Sequence, residues 1–298
     1  MNFIIIYLQI LDLQDLLLFN TLTVIGIHKQ AVLSKKLNVG TFIGESFEEI
    51  NKKENQIYTL YNNETNRNEI ICVYNITKKG TFNLLGDFNH EEYYTTAEEI
   101  EKLDKEAKEN RNKEKIEIYI NNKKIKFNIK YKVDEPGLIK VIFKFKELLT
   151  STFSMFRDCI YLQSIDLSYF NASKVSNMRC MFQNCNSLNS IYLSFINKSN
   201  VTSMRSMFSK CSSLSSLDLS SFDKSIVTNM RTMFNYCTSL ISLDSSSFKT
   251  KNVINMVAIF QCCSSLKSIN LVSFDTKCVT NMMNMFKGCT SLIYLDLS

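Results

Sequence analysis

The feature that most constrains the fold is a 26-residue period that fills the second half of the chain. Phenylalanine recurs at this interval, and cysteine and leucine follow it three and six residues later. The phenylalanine column consists of Phe156, Phe182, Phe208, Phe234, Phe260 and Phe286. A unit of this size cannot bury an apolar core alone, so the copies are expected to stack on one another.

Each repeat changes its hydrophobic period halfway along. Between Val201 and Cys211 the apolar residues have the spacing of one helix face. Between Leu214 and Ser220 the pattern ends with a period of two, which is typical of a short, half-exposed strand. The sequence therefore predicts an α/β fold for residues 148–298: a leucine-rich-repeat solenoid with a parallel sheet on one face and short helices on the other. It has about six repeats, the last one truncated.

The cysteines follow the same period. Six of the ten lie at one repeat position, namely Cys159, Cys185, Cys211, Cys237, Cys263 and Cys289. A small apolar side chain is expected there, and a uniform ladder offers no natural disulfide partners. We therefore predict a core of free, buried thiols. The remaining four cysteines match no paired zinc-binding motif, and no metal or cofactor is expected.

The repeats resemble a known family. The carrying segments read MFQNCNSLNSIYLSF, MFSKCSSLSSLDLSSFD and MFKGCTSLIYLDLS. They are similar to the 26-residue repeat of BspA-like leucine-rich-repeat surface proteins, which also fills a domain of unknown function first described in mycoplasma. The resemblance covers about residues 148–298, and the chain looks like a protist member. It implies surface adhesion or protein binding, and it carries no catalytic residues. Ser245 and Ile259 depart from the pattern.

Residues 41–147 are predicted to form a β-rich α+β domain that caps the open core of the first repeat. Alternating residues predict a hairpin around Asn121-Asn122-Lys123. Further strands are predicted at 69–76, 82–86 and 138–145, and an exposed helix at 95–112.

The two ends of the chain permit more than one interpretation. Residues 1–40 are apolar but interrupted by polar residues, without about 18 uninterrupted apolar positions for a membrane span. A buried helix or strand pair is favoured there, and an atypical signal segment is the alternative. The last residues, Leu297-Ser298, lie inside a predicted strand, which indicates either a fragment or an edge covered by a partner.

Charge and composition argue against several functions. Residues 1–150 carry 22 basic and 22 acidic side chains, whereas residues 151–298 carry 13 and 7, so the whole net charge of +6 lies in the repeats. This is too sparse for nucleic-acid binding. The chain has only His28 and His90, no nucleophile motif and no phosphate-binding loop. We therefore do not expect an enzyme; loss of an activity on changing either histidine would revive that hypothesis.

Two surfaces are candidate sites. The outward strand column is a candidate partner-binding face and contains Asp166, Tyr192, Asp218, Asp244, Asn270 and Asp296. The simpler interpretation is that small polar residues tolerate a solvated sheet face. A candidate basic stripe contains Arg179, Arg205 and Arg231, which could contact an acidic partner or anionic lipid, or could simply be solvated.

The function indicated is non-enzymatic protein binding or scaffolding through the exposed solenoid face. The alternative is a cell-surface or secreted adhesin of the BspA-like type. Location stays open: the missing leader pattern and the free thiols slightly favour the cell interior, and the family resemblance favours the surface. No transmembrane span is predicted, and contact with a membrane surface stays open.

Overall fold

The computed structural model describes residues 67–86, 97–193, 200–219, 226–243 and 250–296. The chain divides into two compact units, Met1–Asn63 and Glu64–Ser298, and all described residues belong to the second. The apolar segment 1–40, with the predictions made for it, lies outside the described residues.

Within the described residues, seven elements precede the repeats. They are β1 (Glu69–Ile76), β2 (Gly80–Asn83), α1 (Ala97–Asn110), β3 (Ile116–Ile120), β4 (Lys123–Ile125), β5 (Lys130–Val133) and β6 (Gly137–Phe145). The predicted hairpin is confirmed, because β3 and β4 pair around Asn121 and Asn122. Both asparagines have positive φ, 47° and 67°, which is the backbone conformation of a tight hairpin turn.

The alternation of apolar and polar residues explains the strands, and the spacing of apolar residues explains the helix. In β1 the side chains of Ile70, Cys72 and Tyr74 are buried, and the residues between them are more exposed. In α1, Leu103 and Ala107 are four residues apart and bury one helix face against Phe153 and Cys180 of the repeats.

The described parts of the repeats contain four short strands: β7 (Leu162–Asp166), β8 (Ser190–Tyr192), β9 (Ser268–Asn270) and β10 (Tyr294–Asp296). The largest sheet has the order β4-β3-β6-β1-β7-β8, and all its pairs are antiparallel except β7–β8. The first repeat thus shares a sheet with the strands before it, through β1 and β7. The capping role of the first half and its boundary at residue 147 stay predictions.

The predicted α/β leucine-rich-repeat solenoid is wrong. Within the described residues the only α-helix is α1, which precedes the repeats, and the fold consists mainly of strands and turns. Among the named strands, parallel pairing is limited to β7–β8 and β9–β10, whereas the largest sheet is mainly antiparallel. There is no parallel sheet with a layer of short helices behind it in these parts of the chain.

The backbone of the expected helices shows why they do not form. Ser206 and Lys210 have φ of 55° and 63°, and left-handed residues interrupt a right-handed helix. The N–H groups of Ser206, Phe208 and Lys210 donate to carbonyls of the following repeat at 2.7–2.9 Å. The intervening N–H groups close four-residue turns, such as Met207 N–H to the Met204 carbonyl at 3.1 Å. Every second N–H group therefore donates to the following repeat, so the i to i−4 hydrogen bonds of an α-helix cannot form.

The core is built from columns of like residues. The six ladder phenylalanines stack face to face, with ring centroids 5.5–5.7 Å apart and planes within 11° of parallel. Phe143 of β6 extends the row, with its ring 5.6 Å from that of Phe156 and tilted by 68°. The rows of Met, Val and Leu beside these rings are buried over most of their length. One hydrophobic core therefore continues from the strands of the first half into the repeats.

Gly86 lies at the contact between the first half and the first repeat. Its N–H donates to the Met155 carbonyl at 2.8 Å, and its carbonyl accepts from Arg111 Nη1 at 3.1 Å. The same Arg111 nitrogen donates to the Ser154 carbonyl at 2.8 Å. A Cβ added to Gly86 would lie 2.2 Å from the Ser154 oxygen, so a side chain at this position has no room.

We predict that Gly86→Ala lowers the free energy of unfolding by about 3 kcal/mol, because the added methyl group forces two backbone segments apart. Where the backbone permits alanine and space is available, the same exchange usually stabilises a protein by about 0.4–1 kcal/mol. Urea denaturation of the full chain measures the sign. Lys79→Ala, at an exposed position, is the control and should leave stability unchanged. A stabilised Gly86→Ala protein would contradict the packing at this contact.

Candidate interaction surfaces

The structure brings part of the predicted strand column together. Asp166 pairs with Tyr192 across β7 and β8, and Asn270 pairs with Asp296 across β9 and β10. Asp166 is half-buried, and Asp218 and Asn270 are exposed. Asp244 lies outside the described residues, and for Tyr192 and Asp296 only the backbone position is described.

Asp166 and Asn270 of this column accept backbone N–H groups. Asp166 Oδ1 accepts the N–H of Ser168 at 2.8 Å, and Asn270 Oδ1 accepts the N–H of Val272 at 2.9 Å. Such bonds close a turn directly after a strand, and they explain why Asp and Asn suit this position. A binding role for the column stays a prediction.

Sequence reasoning missed an apolar feature beside this column. Ile241 is 47% exposed and Ile293 is 87% exposed, with exposed Lys267 between them in the same repeat position. Their backbones are joined, because Lys267 N–H donates to the Ile241 carbonyl at 3.2 Å and Ile293 N–H to the Lys267 carbonyl at 2.9 Å. The available signal was isoleucine at a position that is otherwise polar in the earlier repeats. We call Ile241, Lys267 and Ile293, with the column Asp166, Asp218 and Asn270, the strand face.

The basic stripe is a row of neighbours. The carbonyls of Arg179, Arg205 and Arg231 accept the N–H groups of Ser154, Cys180 and Ser206, each at 2.9 Å and each from the preceding repeat. Arg179 and Arg205 are half-buried, and Arg231 is exposed. Burial raises the pKa of the Cys180 thiol, and the positive charges of Arg157, Arg179 and Arg205 oppose that rise. The row is therefore partly built into the fold, and its binding role stays a prediction.

The thiol ladder makes directed hydrogen bonds. From the second repeat onward, each ladder Sγ donates to the phenylalanine carbonyl of the repeat before it, at 3.0–3.1 Å: Cys185 to Phe156, Cys211 to Phe182, Cys237 to Phe208, Cys263 to Phe234 and Cys289 to Phe260. The predicted burial is confirmed for all ladder cysteines except Cys289, which is half-buried. The sequence indicated a small apolar residue, but not that the position uses a weak donor.

The buried thiols of the ladder have low chemical reactivity. All ten cysteines of the chain are free, and burial raises the pKa of Cys185, Cys211 and Cys237 well above the ordinary thiol value. Because the thiolate is the reactive form, these groups stay protonated and unreactive near neutral pH. Their conserved spacing within the chain is therefore explained by packing and hydrogen bonding.

A second exposed surface lies on the segment that precedes the stacked phenylalanine in each repeat. A shallow groove there is lined by Ile226, Thr228, Asn252, Ile254, Cys278 and Thr280. We call these six residues the groove. Sequence reasoning missed it, although the isoleucines at 226 and 254 stand at positions occupied in the neighbouring repeats by Lys, Asn, Ser, Thr or Cys.

Metal clusters and membrane-spanning helices are both absent from the described part of the chain. No group of three or more His, Cys, Asp and Glu side chains there is arranged to hold a metal ion. None of the helices in these residues is long and apolar enough to cross a bilayer. His28 and His90, through which an enzymatic role was considered, lie outside the described residues.

The comparison with protein families concerns the same region as the repeat period. A family model described as "Mycoplasma protein of unknown function, DUF285" matches residues 150–268 and again residues 218–296. The repeats match DUF285. The predicted resemblance to a mycoplasma-described family is thus confirmed for this region, whereas its leucine-rich-repeat and protist parts find no support. No curated protein and no solved structure matches the chain.

The DUF285 region contains all the features of the repeats described above. It includes the stacked phenylalanines, the thiol ladder, the strand face, the basic stripe and the groove. The description of DUF285 assigns no activity, so function must be argued from these surfaces.

Proposed function

We propose that this protein is a non-enzymatic binding or scaffolding protein that holds a partner protein on its strand face. The observation that carries the proposal is the exposed row of Ile241, Lys267 and Ile293, which continues across three consecutive repeats. Apolar side chains left exposed in a row beside polar ones are typical of protein interaction sites.

The repeat arrangement supports binding over catalysis. The ladder thiols of Cys185, Cys211 and Cys237 are buried, protonated and hydrogen-bonded to backbone carbonyls. Outward-facing side chains from successive repeats form an extended surface, which suits contact with a large partner.

A cell-surface or secreted adhesin of the BspA-like type is the second candidate. It is supported by the DUF285 match and by the resemblance of the repeats to bacterial surface proteins. The two candidates differ in location. Protease treatment of intact and permeabilised cells separates them, because a surface adhesin is cleaved without permeabilisation and an internal scaffold is not.

The strand face is tested with Ile241→Asp/Ile293→Asp in the full chain. We expect this double variant to bind a purified partner at least about tenfold more weakly, because it places two charges in an apolar contact. Partners are first isolated with the wild-type chain and then measured individually by calorimetry. Ile254→Asp is the matched control, since Ile254 is as exposed as Ile241 (47%) but belongs to the groove. Equal affinities for the wild type and the double variant would overturn the proposal.

A further inference from the structure

The groove crosses three consecutive repeats. Its apolar members are only partly covered: Ile226 and Ile254 are each 47% exposed, and Cys278 is exposed. Asn252, also exposed, lines the groove together with the two isoleucines. The groove therefore offers apolar contacts together with one amide.

The fold makes this surface by strand-like alternation. Val227 and Val253 are buried, so the residues on either side of each valine point outward. The segments join from repeat to repeat through N–H groups of Thr228, Ile254 and Thr280, which donate to the preceding repeat at 2.8–2.9 Å. The outward side chains are thus held in regular rows on a bonded backbone.

The threonine hydroxyls contribute to the apolar character. Thr228 Oγ1 donates to the Thr202 carbonyl at 3.2 Å, and Thr280 Oγ1 donates to the Ile254 carbonyl at 3.2 Å. Because each hydroxyl proton is used by the backbone, the methyl group of each threonine is the part left for contact with a partner. Isoleucine, threonine methyl and cysteine side chains therefore form most of the groove.

Positive charge lies beside this apolar surface. Lys251 and Lys277 are exposed and directly precede the groove residues Asn252 and Cys278. The second half of the chain carries the entire net charge of +6. Such a field attracts a negatively charged partner and repels a basic one.

We infer that the groove binds a short extended segment of a partner protein that carries both apolar and acidic side chains. The apolar side chains of the segment contact the isoleucines and the threonine methyl groups, and its carboxylates lie near Lys251 and Lys277. Asn252 can donate to and accept from the backbone of the segment. The groove is shallow and spans three repeats, which suits a segment that lies along its length. This inference is independent of the strand face.

The test selects ligands from a phage-displayed library of random short peptides, using the full chain as bait. We expect enrichment of peptides that combine Leu, Ile or Phe with Asp or Glu. A selected peptide should bind Ile254→Asp at least about tenfold more weakly, and Ile241→Asp as tightly as the wild type. Lys251→Glu/Lys277→Glu should also weaken binding, and added salt should reduce the affinity of the wild type. Thermal melting checks that each variant is folded.

Cys278 provides a second readout at the groove itself. It is the one cysteine of the ten that is exposed, so a maleimide should modify it first in the native protein. The bound peptide should slow this modification, and peptide mapping by mass spectrometry identifies the modified residue. Selected peptides without acidic residues, equal binding to Ile254→Asp, or unchanged modification of Cys278 would each overturn the inference. So would binding of phosphatidylserine vesicles or self-association that Ile254→Asp abolishes, since a lipid surface or a second copy would then be the occupant.

Discussion

Raising the pH from about 8 to about 10 is expected to unfold this protein. Seven thiols are buried, and burial raises the pKa of each of them: Cys72, Cys159, Cys180, Cys185, Cys211, Cys237 and Cys263. In the unfolded chain a thiol has a pKa of about 8.5. Above that pH the unfolded state loses protons that the folded state keeps.

The direction of the effect follows from this difference. The folded form binds more protons than the unfolded form above about pH 8.5, so the free energy of unfolding falls as the pH rises. Below the unfolded thiol pKa the contribution is fully present. At pH 10 a buried thiol that stays protonated in the folded state costs about 2 kcal/mol, and several together cost on the order of 10 kcal/mol. This matches the whole stability of an ordinary domain, about 5–15 kcal/mol.

Circular dichroism over a pH series, with a reducing agent present, measures the transition. Cys211→Ala is the decisive comparison, because removal of one buried thiol should reduce the slope of stability against pH by about 1.4 kcal/mol per pH unit. Only the slope is compared, since the substitution also removes the hydrogen bond to the Phe182 carbonyl. Identical slopes above pH 9 for both proteins would show that the thiols do not cause the transition.

Truncation of one stacked ring is expected to have the second large effect. Phe208 is fully buried, with its ring 5.5 Å from that of Phe182 and 5.7 Å from that of Phe234. Phe208→Ala removes both stacking contacts and leaves a cavity between two repeats. We expect a loss of about 3–5 kcal/mol in the free energy of unfolding, measured by urea denaturation.

Ile241→Ala is the matched control, because it also truncates an apolar side chain, but one that is 47% exposed. It should change the free energy of unfolding by less than about 1 kcal/mol, since surface substitutions usually have small effects. If Phe208→Ala melts like the wild type, the stacked ring column does not hold the repeats together.

The sequence was sufficient for the features that depend on which residues are buried. The 26-residue period correctly indicated that Phe208, Met204 and Cys211 face the core, because like residues at one interval must meet between adjacent copies. The hairpin at Asn121-Asn122 was also predictable, since asparagine tolerates the positive φ that its turn requires.

The backbone path of the repeats was not predictable in the same way. Apolar residues at relative positions 0, 3, 6, 7 and 10 fit a helix, but they also fit a series of tight turns that bond to the next copy. Left-handed conformations at Ser206 and Thr232 carry no composition signal, because neither residue favours that region. The pairing of β1 with β7 joins residues about ninety positions apart, and local periodicity contains no information about such contacts.

The candidate surfaces show the same limit. The polar strand column could be read from alternation, but not that Asp166 and Asn270 also close turns. The isoleucines of the groove replace residues that are mainly polar in the other repeats, and this signal appears only when repeat positions are compared. That Ile226 and Ile254 are each 47% exposed is a property of the folded surface.

The backbone bonds between copies have a consequence for how such a chain can change its length. The N–H of Phe208 meets the carbonyl of Met233, and the N–H of Phe182 meets that of Met207, so each partner lies the same distance along the chain. Insertion of one residue within a turn would shift every later donor away from its acceptor. Duplication or loss of a whole copy, as recombination between similar DNA segments produces, restores identical partners on both sides of the junction. The protein can therefore tolerate variation in copy number far better than variation within a copy.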